Sequence, residues 1–368
     1  MQAATNRRNL LVGGGVLALV GAGVSYAEVR RMGSMAEYDA SVAATRRALA
    51  ARPEAGDLLR YATLAPNGHN TQPWRFQVSD RQISILPDPA RRTPVVDPDD
   101  HHILVSLGAA AENLALAGAA RGRGGTVRFD PAADGAVVFA FGGGSAPEPD
   151  LFDAMARRQS TRADYDGRAV SPETLRALAK AAETPGVDLV LITDRPGMER
   201  ARDLVVAGNS VQLGDPAFLR ELKSWIRYSP RQALTTGDGL FAAASGNPVL
   251  PDWLGPSLFS LALRADTDND RYARQIRSSS GLAVFVSQQE DRAHWVSAGR
   301  ACQRFALQAT ALGLKVAFLN QPVEVAKLRP ELAALVGLPG RRPDLVMRFG
   351  HGPTLPYSAR RPVAAVLA

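Results

Sequence analysis

The order helix, helix, strand, helix, strand occurs twice in this chain, and the two copies meet at Gly142-Gly143-Gly144-Ser145, followed by Pro147 and Pro149. Three consecutive glycines leave the backbone without a preferred conformation, and the prolines remove amide donors, so 142–150 reads as a linker between two units. The first unit is 35–141. Helical spacing runs through 35–65, with Pro53-Glu54 starting a second helix that ends at the loop Ala65-Pro66. Trp74–Val78 and Ile83–Leu86 read as strands, Asp99 or Asp100 is placed to cap a long apolar helix through Ala120, and Val127–Phe129 and Val137–Phe141 close the unit as strands. The second unit, 151–363, opens with a helix from Asp150 and a second capped at Ser171. A strand at Val187–Ile192, helices at 197–212 and 216–227, a strand at Gly281–Ser287, an amphipathic helix at 292–312 and strands at Val316–Leu319 and Asp344–Phe349 follow. Between them, 228–280 is rich in Gly, Pro, Ser and Asp with little periodicity, and a stretch of that length reads as an irregular lid. Strands grouped between long helices predict an α+β layered sandwich built from two tandem halves, not a regular βαβ repeat.

Composition is that of a globular protein: 46% hydrophobic and 21% charged residues over 368 positions. The formal net charge is +7, but acidic residues are interspersed and no long basic run occurs, so no nucleic-acid partner is expected. Cys302 is the single cysteine, which excludes a disulfide within the chain and suits a small core residue. At the N-terminus, Arg7-Arg8-Asn9-Leu10-Leu11 opens an apolar, Gly-rich stretch too short for a membrane span of roughly 20 residues, and Ser25-Tyr26-Ala27 offers a small-x-small cleavage site. Residues 1–27 are similar to a twin-arginine signal, which implies transient contact with that export machinery, a periplasmic or cell-envelope location and a protein exported folded.

The most specific segment is Ala65-Pro66-Asn67-Gly68-His69-Asn70-Thr71-Gln72-Pro73-Trp74-Arg75-Phe76. Pro and Gly enforce a tight loop, polar side chains and free amides line it, and Trp74 anchors the strand that follows. Arg157-Arg158-Gln159-Ser160-Thr161-Arg162 gathers guanidinium groups and a hydroxyl, the chemistry of bidentate phosphate binding. These two segments, with Ser106–Leu114, Leu312-Gly313-Leu314 and the C-terminal Arg348-Phe349-Gly350-His351-Gly352 and Tyr357-Ser358-Ala359-Arg360-Arg361, resemble the nitroreductase family of FMN proteins. The resemblance covers most of 36–363, with 228–280 unmatched. It departs from the family's Arg-Ser-x-Arg pattern at Gln159, which stands directly before the serine. It implies FMN contacts from Pro66, Asn67, Gly68, Asn70 and Gln72 in the loop, from Arg158, Ser160 and Arg162 in the clamp, and from Arg360 and Arg361 at the terminus. Asn320, Gln321 and Gln212 are implied at the ring edge.

Family members usually pair as homodimers, each flavin lying between a loop from one subunit and a clamp from the other. Here the first half has the loop but only Arg46-Arg47 where a clamp would stand, and the second half has the clamp but Ala182–Val187 where a loop would stand. The expectation is an intramolecular pseudo-dimer with one FMN, similar to the Acg-like branch, itself a monomer or a homodimer. Three readings follow: an oxidoreductase passing electrons from NAD(P)H or another donor through FMN to a small acceptor such as a nitroaromatic or a quinone; a protein that stores or sequesters FMN without turnover; and a scaffold with a vestigial site. No protein acid or base is required where the flavin carries the chemistry.

Two metal-like clusters are set aside. Asp97, Asp99, Asp100, His101 and His102 suit helix capping better than chelation. Asp266, Asp268 and Asp270 mimic the opening of a calcium loop, but Arg271 holds its glycine position and Arg277 its terminal glutamate position. His69 can donate to a ligand or stabilise its own loop.

Overall fold

The computed structural model describes residues 30–132, 135–144 and 146–368; the signal-like segment 1–27 and Ser145 of the linker lie outside them. The first helices are α1 (Met35–Thr45) and α2 (Ala55–Ala62), followed by strands β1 (Trp74–Val78) and β2 (Gln82–Pro87), the long helix α3 (His101–Ala120), and β3 (Gly125–Asp130) and β4 (Ala136–Phe141). These strands form one antiparallel sheet in the order β1-β2-β4-β3. Beyond the linker come α4 (Pro149–Met155), α5 (Pro172–Ala182), β5 (Val187–Ile192), α6 (Arg195–Leu213), α7 (Pro216–Ser224) and the short strands β6 (Ile226–Arg227) and β7 (Leu240–Phe241), with α8 (Pro230–Thr236) between them. The chain continues with α9 (Gly255–Ala262), α10 (Ala265–Arg277), β8 (Gly281–Ser287), α11 (Arg292–Ala311), β9 (Lys315–Phe318), α12 (Gln321–Glu324), α13 (Arg329–Leu335) and β10 (Pro343–Gly350). The second sheet is antiparallel in the order β5-β8-β10-β9. The architecture is α+β.

Local chemistry explains most boundaries. Ser34 and Glu37 form a reciprocal capping box at the start of α1, and Ser171 accepts from Thr174 N to start α5. At α3 the expected caps do not serve: Asp100 occupies the N-cap in a left-handed conformation without a side-chain capping bond, and the Asp97 carboxylate instead accepts from His102 N at 3.0 Å and Ile103 N at 3.1 Å. The stretch 228–280 is not irregular. It carries α8, α9 and α10, the first two with Pro in the first turn, where the missing amide costs nothing.

The two sheets differ in exposure for a topological reason. β1, an edge strand, alternates, burying Trp74 and Phe76 while Arg75 faces solvent. β8 and β10 are buried at every position. Their inner face joins α11 and the first unit in a continuous core, and their outer face meets Met198, Leu204 and Val205 of α6 with Ile276 of α10. α3 packs on the first sheet, α11 on the second, and the two helices cross each other. The crossing is reciprocal: a Cβ on Gly108 would lie 2.0 Å from Val296 O, and one on Gly299 would lie 1.9 Å from Val105 O. Beside it, Gln303 Nε2 donates to Asn113 Oδ1 at 2.6 Å, and Asn113 Nδ2 donates to Tyr61 O at 3.0 Å.

The C-terminal segment crosses back to the first unit. Leu367 forms a parallel bridge to Phe76, Ala368 N donates to Phe76 O at 2.9 Å, and Val366 is fully buried. α3 is long and apolar enough to cross a membrane, but it is this molecule's core helix.

Candidate active site

A cavity of about 860 Å³ opens where the loop after α2 meets α3, α6, α10, α11 and the turn into α12. Its floor is built by the helix crossing, with Ala109 and Val105 on α3 and Gly299 and Cys302 on α11. Its outer part is apolar, with Phe218, Leu222, Leu258, Phe259 and Leu261 supplied by α7 and α9.

Of the residues implied by sequence, Pro66, Asn67, Gly68, Arg162, Gln212, Asn320 and Gln321 line this cavity together, with His69 beside them. They come from both units. Arg162 stands in the mouth, reached by solvent but enclosed by protein on its other sides. Its guanidinium has no hydrogen-bond or ion-pair partner among the described residues, and burial lowers its pKa. Its charge, after burial itself, helps push the His69 imidazole down to about 4, so that ring is neutral. Gln321 is 7% exposed and its Oε1 lacks a partner. Asn320 Oδ1 accepts from Val346 N at 3.0 Å, which ties the turn before α12 to β10.

Asn70, Gln72, Arg158, Ser160, Arg360 and Arg361 do not line the cavity; their side chains or backbone hold it together instead. His69, Asn70 and Gln72 have φ of 46°, 53° and 54°, left-handed values unusual for non-glycine residues. This turns Asn70 inward, where Nδ2 donates to Gly239 O and Ala359 O and Oδ1 accepts from Arg360 Nη1 at 2.7 Å. Gln72 Nε2 donates to Gly237 O at 2.8 Å, and its Oε1 accepts from Arg361 N at 2.8 Å. Arg360 donates to Thr63 O, Leu64 O and Ala65 O, and Arg158 Nη2 donates to Leu64 O at 3.0 Å. Both cations thereby sit on carbonyls of the turn that directly follows α2, near the end of the helix where its dipole favours positive charge. Burial is the larger influence on each: it lowers the Arg158 pKa to about 10 and holds that of Arg360 well below its ordinary value, and Arg46 nearby adds repulsion. Arg158 keeps Nε and Nη1 without partners. Ser160 forms a parallel bridge to Val316, extending the edge of the second sheet.

The cavity also presents Glu324, which the sequence reading passed over. Glu324 follows Gln321 by one helical turn, and that i, i+3 spacing on a Pro-started turn was the available signal. Gln212 Nε2 donates to Glu324 Oε2 at 2.6 Å. His102 lines the wall with Val105 and Ser106, the next turn of α3. Asp97, His101 and His102 offer ligand atoms within 4.8 Å of one another. Two of them have structural partners: Asp97 caps α3, and His101 Nε2 meets Asp344 Oδ1 at 2.9 Å with both side chains fully buried. Cys302 is buried and its thiol is pushed up to about 12 by burial, so it stays protonated.

No family model matches the chain. Similarity appears in individual proteins. One Mycobacterium tuberculosis H37Rv protein, provisionally named NAD(P)H nitroreductase Rv3131, is 27% identical over 325 residues, covering 84% of this chain and 90% of that protein. A second from the same strain, provisionally named NAD(P)H nitroreductase acg, is 25% identical over 323 residues, covering 84% and 93%. Among solved structures, an FMN-bound nitroreductase from Desulfitobacterium hafniense aligns with 58% of this chain and 93% of its own at 18% identity, with a TM-score of 0.35.

Proposed function

We propose that this chain is an FMN-dependent oxidoreductase of the nitroreductase type, taking electrons from NAD(P)H and passing them to a small acceptor. The observation that carries the reading is Arg162: a guanidinium without a counter-charge, in the mouth of a cavity lined by the Pro66–Gly68 loop of the first unit and by Asn320-Gln321 of the second. An uncompensated cation beside a roomy pocket suits a phosphate-bearing ligand. The volume, about 860 Å³, lies within the range of roughly 300–1,000 Å³ usual for cofactor sites. The orphaned Gln321 Oε1 offers a buried acceptor for a ring N–H. The residues present therefore fit FMN. Arg162 would hold the phosphate, the 66–68 loop the ribityl chain, and Asn320 and Gln321 the ring edge. FMN itself supplies hydride chemistry when bound.

The similarity to proteins named for NAD(P)H nitroreduction favours turnover over storage. We also read the two units as halves of a pseudo-dimer, supported by the reciprocal glycine contacts of α3 and α11 and by two four-stranded sheets of matching size. The twin-arginine resemblance of 1–27 supports export to the periplasm or cell envelope. The test is spectroscopic: purified protein should be yellow or take up FMN, bleach with NADH or NADPH without oxygen, and recover colour on adding a nitroaromatic or a quinone. Colourless protein that ignores FMN overturns the reading; bound flavin inert to donors and acceptors turns it to storage.

A further inference from the structure

We infer that Glu324 is the acid that delivers a proton into the cavity as the acceptor is reduced, with Gln212 holding its carboxyl in place. The inference rests on the flavin reading above and assigns a proton source where that reading needs no protein acid. It follows from what each titratable group on the cavity wall can do. Asp268 is ion-paired with Arg271. The Cys302 thiol is held protonated at about 12, and burial also raises the Tyr228 and Tyr272 phenols. His69 is neutral at about 4, and burial lowers His102 although Asp97 opposes the shift. Glu324 differs from all of these. It is a carboxyl on the wall without a cationic ion-pair partner among the described residues. Gln212 Nε2 donates to its Oε2 at 2.6 Å, while Oε1 takes no hydrogen bond from the described residues.

The surroundings suit an acid. Burial raises the Glu324 carboxyl; His102 on α3 and the Gln212 hydrogen bond from α6 oppose that, and Asp97 ahead of α3 and Glu221 on α7 reinforce it. The step balances with the reductant already proposed. With a reduced flavin bound, a quinone-type acceptor would take one hydride from it and one proton from Glu324 and become a hydroquinone; the glutamate O–H bond would break, and the carboxylate would recover its proton from water through the cavity mouth.

The test compares wild type with Glu324→Gln, whose side-chain oxygen can still accept from Gln212. The variant should match wild type in FMN content and in reduction by NADPH, while reoxidation by 1,4-benzoquinone in stopped flow slows by about 100-fold, the usual scale for losing a general acid, and loses its pH inflection. Glu324→Asp should recover part of the rate. A second readout needs no flavin. A raised carboxyl stabilises the fold fully below its unfolded pKa and loses that contribution as pH rises through the folded value, so apoprotein unfolding midpoints of wild type should fall relative to Glu324→Gln as pH increases. Wild-type reoxidation rates with an unchanged pH profile in Glu324→Gln overturn the inference and leave the flavin reading standing. Protein that takes up no FMN overturns both.

Discussion

Arg162 is the residue on which ligand binding should turn. A hydrogen bond to a charged group is worth roughly 1.5–3 kcal/mol, and each 1.4 kcal/mol is tenfold in affinity, so Arg162→Ala should weaken FMN retention by about 10–100-fold. Flavin content after gel filtration and quenching of FMN fluorescence measure it; full flavin content would mean that the phosphate lies elsewhere. Asp99 makes a different prediction, about pH. Burial acts to raise its carboxyl, but the hydrogen bond and charge of Arg342 outweigh that and hold it down to about 2. A depressed carboxyl gives stability that is present above its unfolded pKa near 4 and lost as pH falls toward 2. Between those values the wild type should lose stability relative to Asp99→Asn in urea titrations, and parallel pH profiles would deny the ion pair a role. Arg342 also faces Glu290 at 3.1 Å, so its partial compensation will soften the effect.

The elements show what sequence alone could and could not reveal. β1, β2, α3, α11 and β10 were legible because apolar spacing reports burial directly, as with Trp74 and Phe76 alternating against Arg75. α10 was not, because its sequence Ala-Asp-Thr-Asp-Asn-Asp-Arg is polar almost throughout and it buries just Gln275 and Ile276. The loop motif was legible as a motif, yet the direction of its side chains was not. Positive φ at His69, Asn70 and Gln72 is imposed by contacts with Gly237, Gly239 and Ala359, which lie far along the chain. The same holds for Arg360, whose backbone partners are the carbonyls of the turn just after α2. Removing it strands Thr63 O and Asn70 Oδ1 in a buried site, at about 1–3 kcal/mol for each unsatisfied group. Arg360→Ala should therefore lower unfolding stability by at least 2 kcal/mol on that scale, and should raise hydrogen exchange across the 66–72 loop. Arg361→Ala should cost less, since its backbone amide, not its guanidinium, binds Gln72. Equal effects of the two substitutions would show that Arg360 is not the loop's anchor.

At the scale of the whole molecule, one contact joins the two units and shapes the floor of the cavity. α3 and α11 approach until each backbone touches the other at a glycine, with Gly108 against Val296 and Gly299 against Val105. Neither glycine has positive φ, so close approach and not backbone freedom requires them. An alanine methyl at either site would stand about 2 Å from a carbonyl oxygen on a core helix. The helices would have to move apart along a crossing that also carries the Gln303–Asn113 hydrogen bond and the Glu112 carboxylate shared by Arg300 and Arg304. Overpacking a core typically costs about 1–3 kcal/mol, and a clash between two backbones stands at the upper end because neither side can change rotamer. Gly108→Ala and Gly299→Ala should each lower the melting temperature by several degrees and, since Gly299 lines the cavity, reduce flavin uptake in proportion. Gly56→Ala supplies the contrast. Its added methyl meets nothing within 4 Å on α2, so that variant should be neutral or more stable by about 0.5–1 kcal/mol. Thermal unfolding of the three variants, read beside their flavin content, separates a general intolerance of glycine replacement from a specific need for contact between the halves. If Gly108→Ala and Gly299→Ala melt like Gly56→Ala, the crossing is looser than its geometry indicates, and the halves are held by their sheets and the C-terminal segment instead.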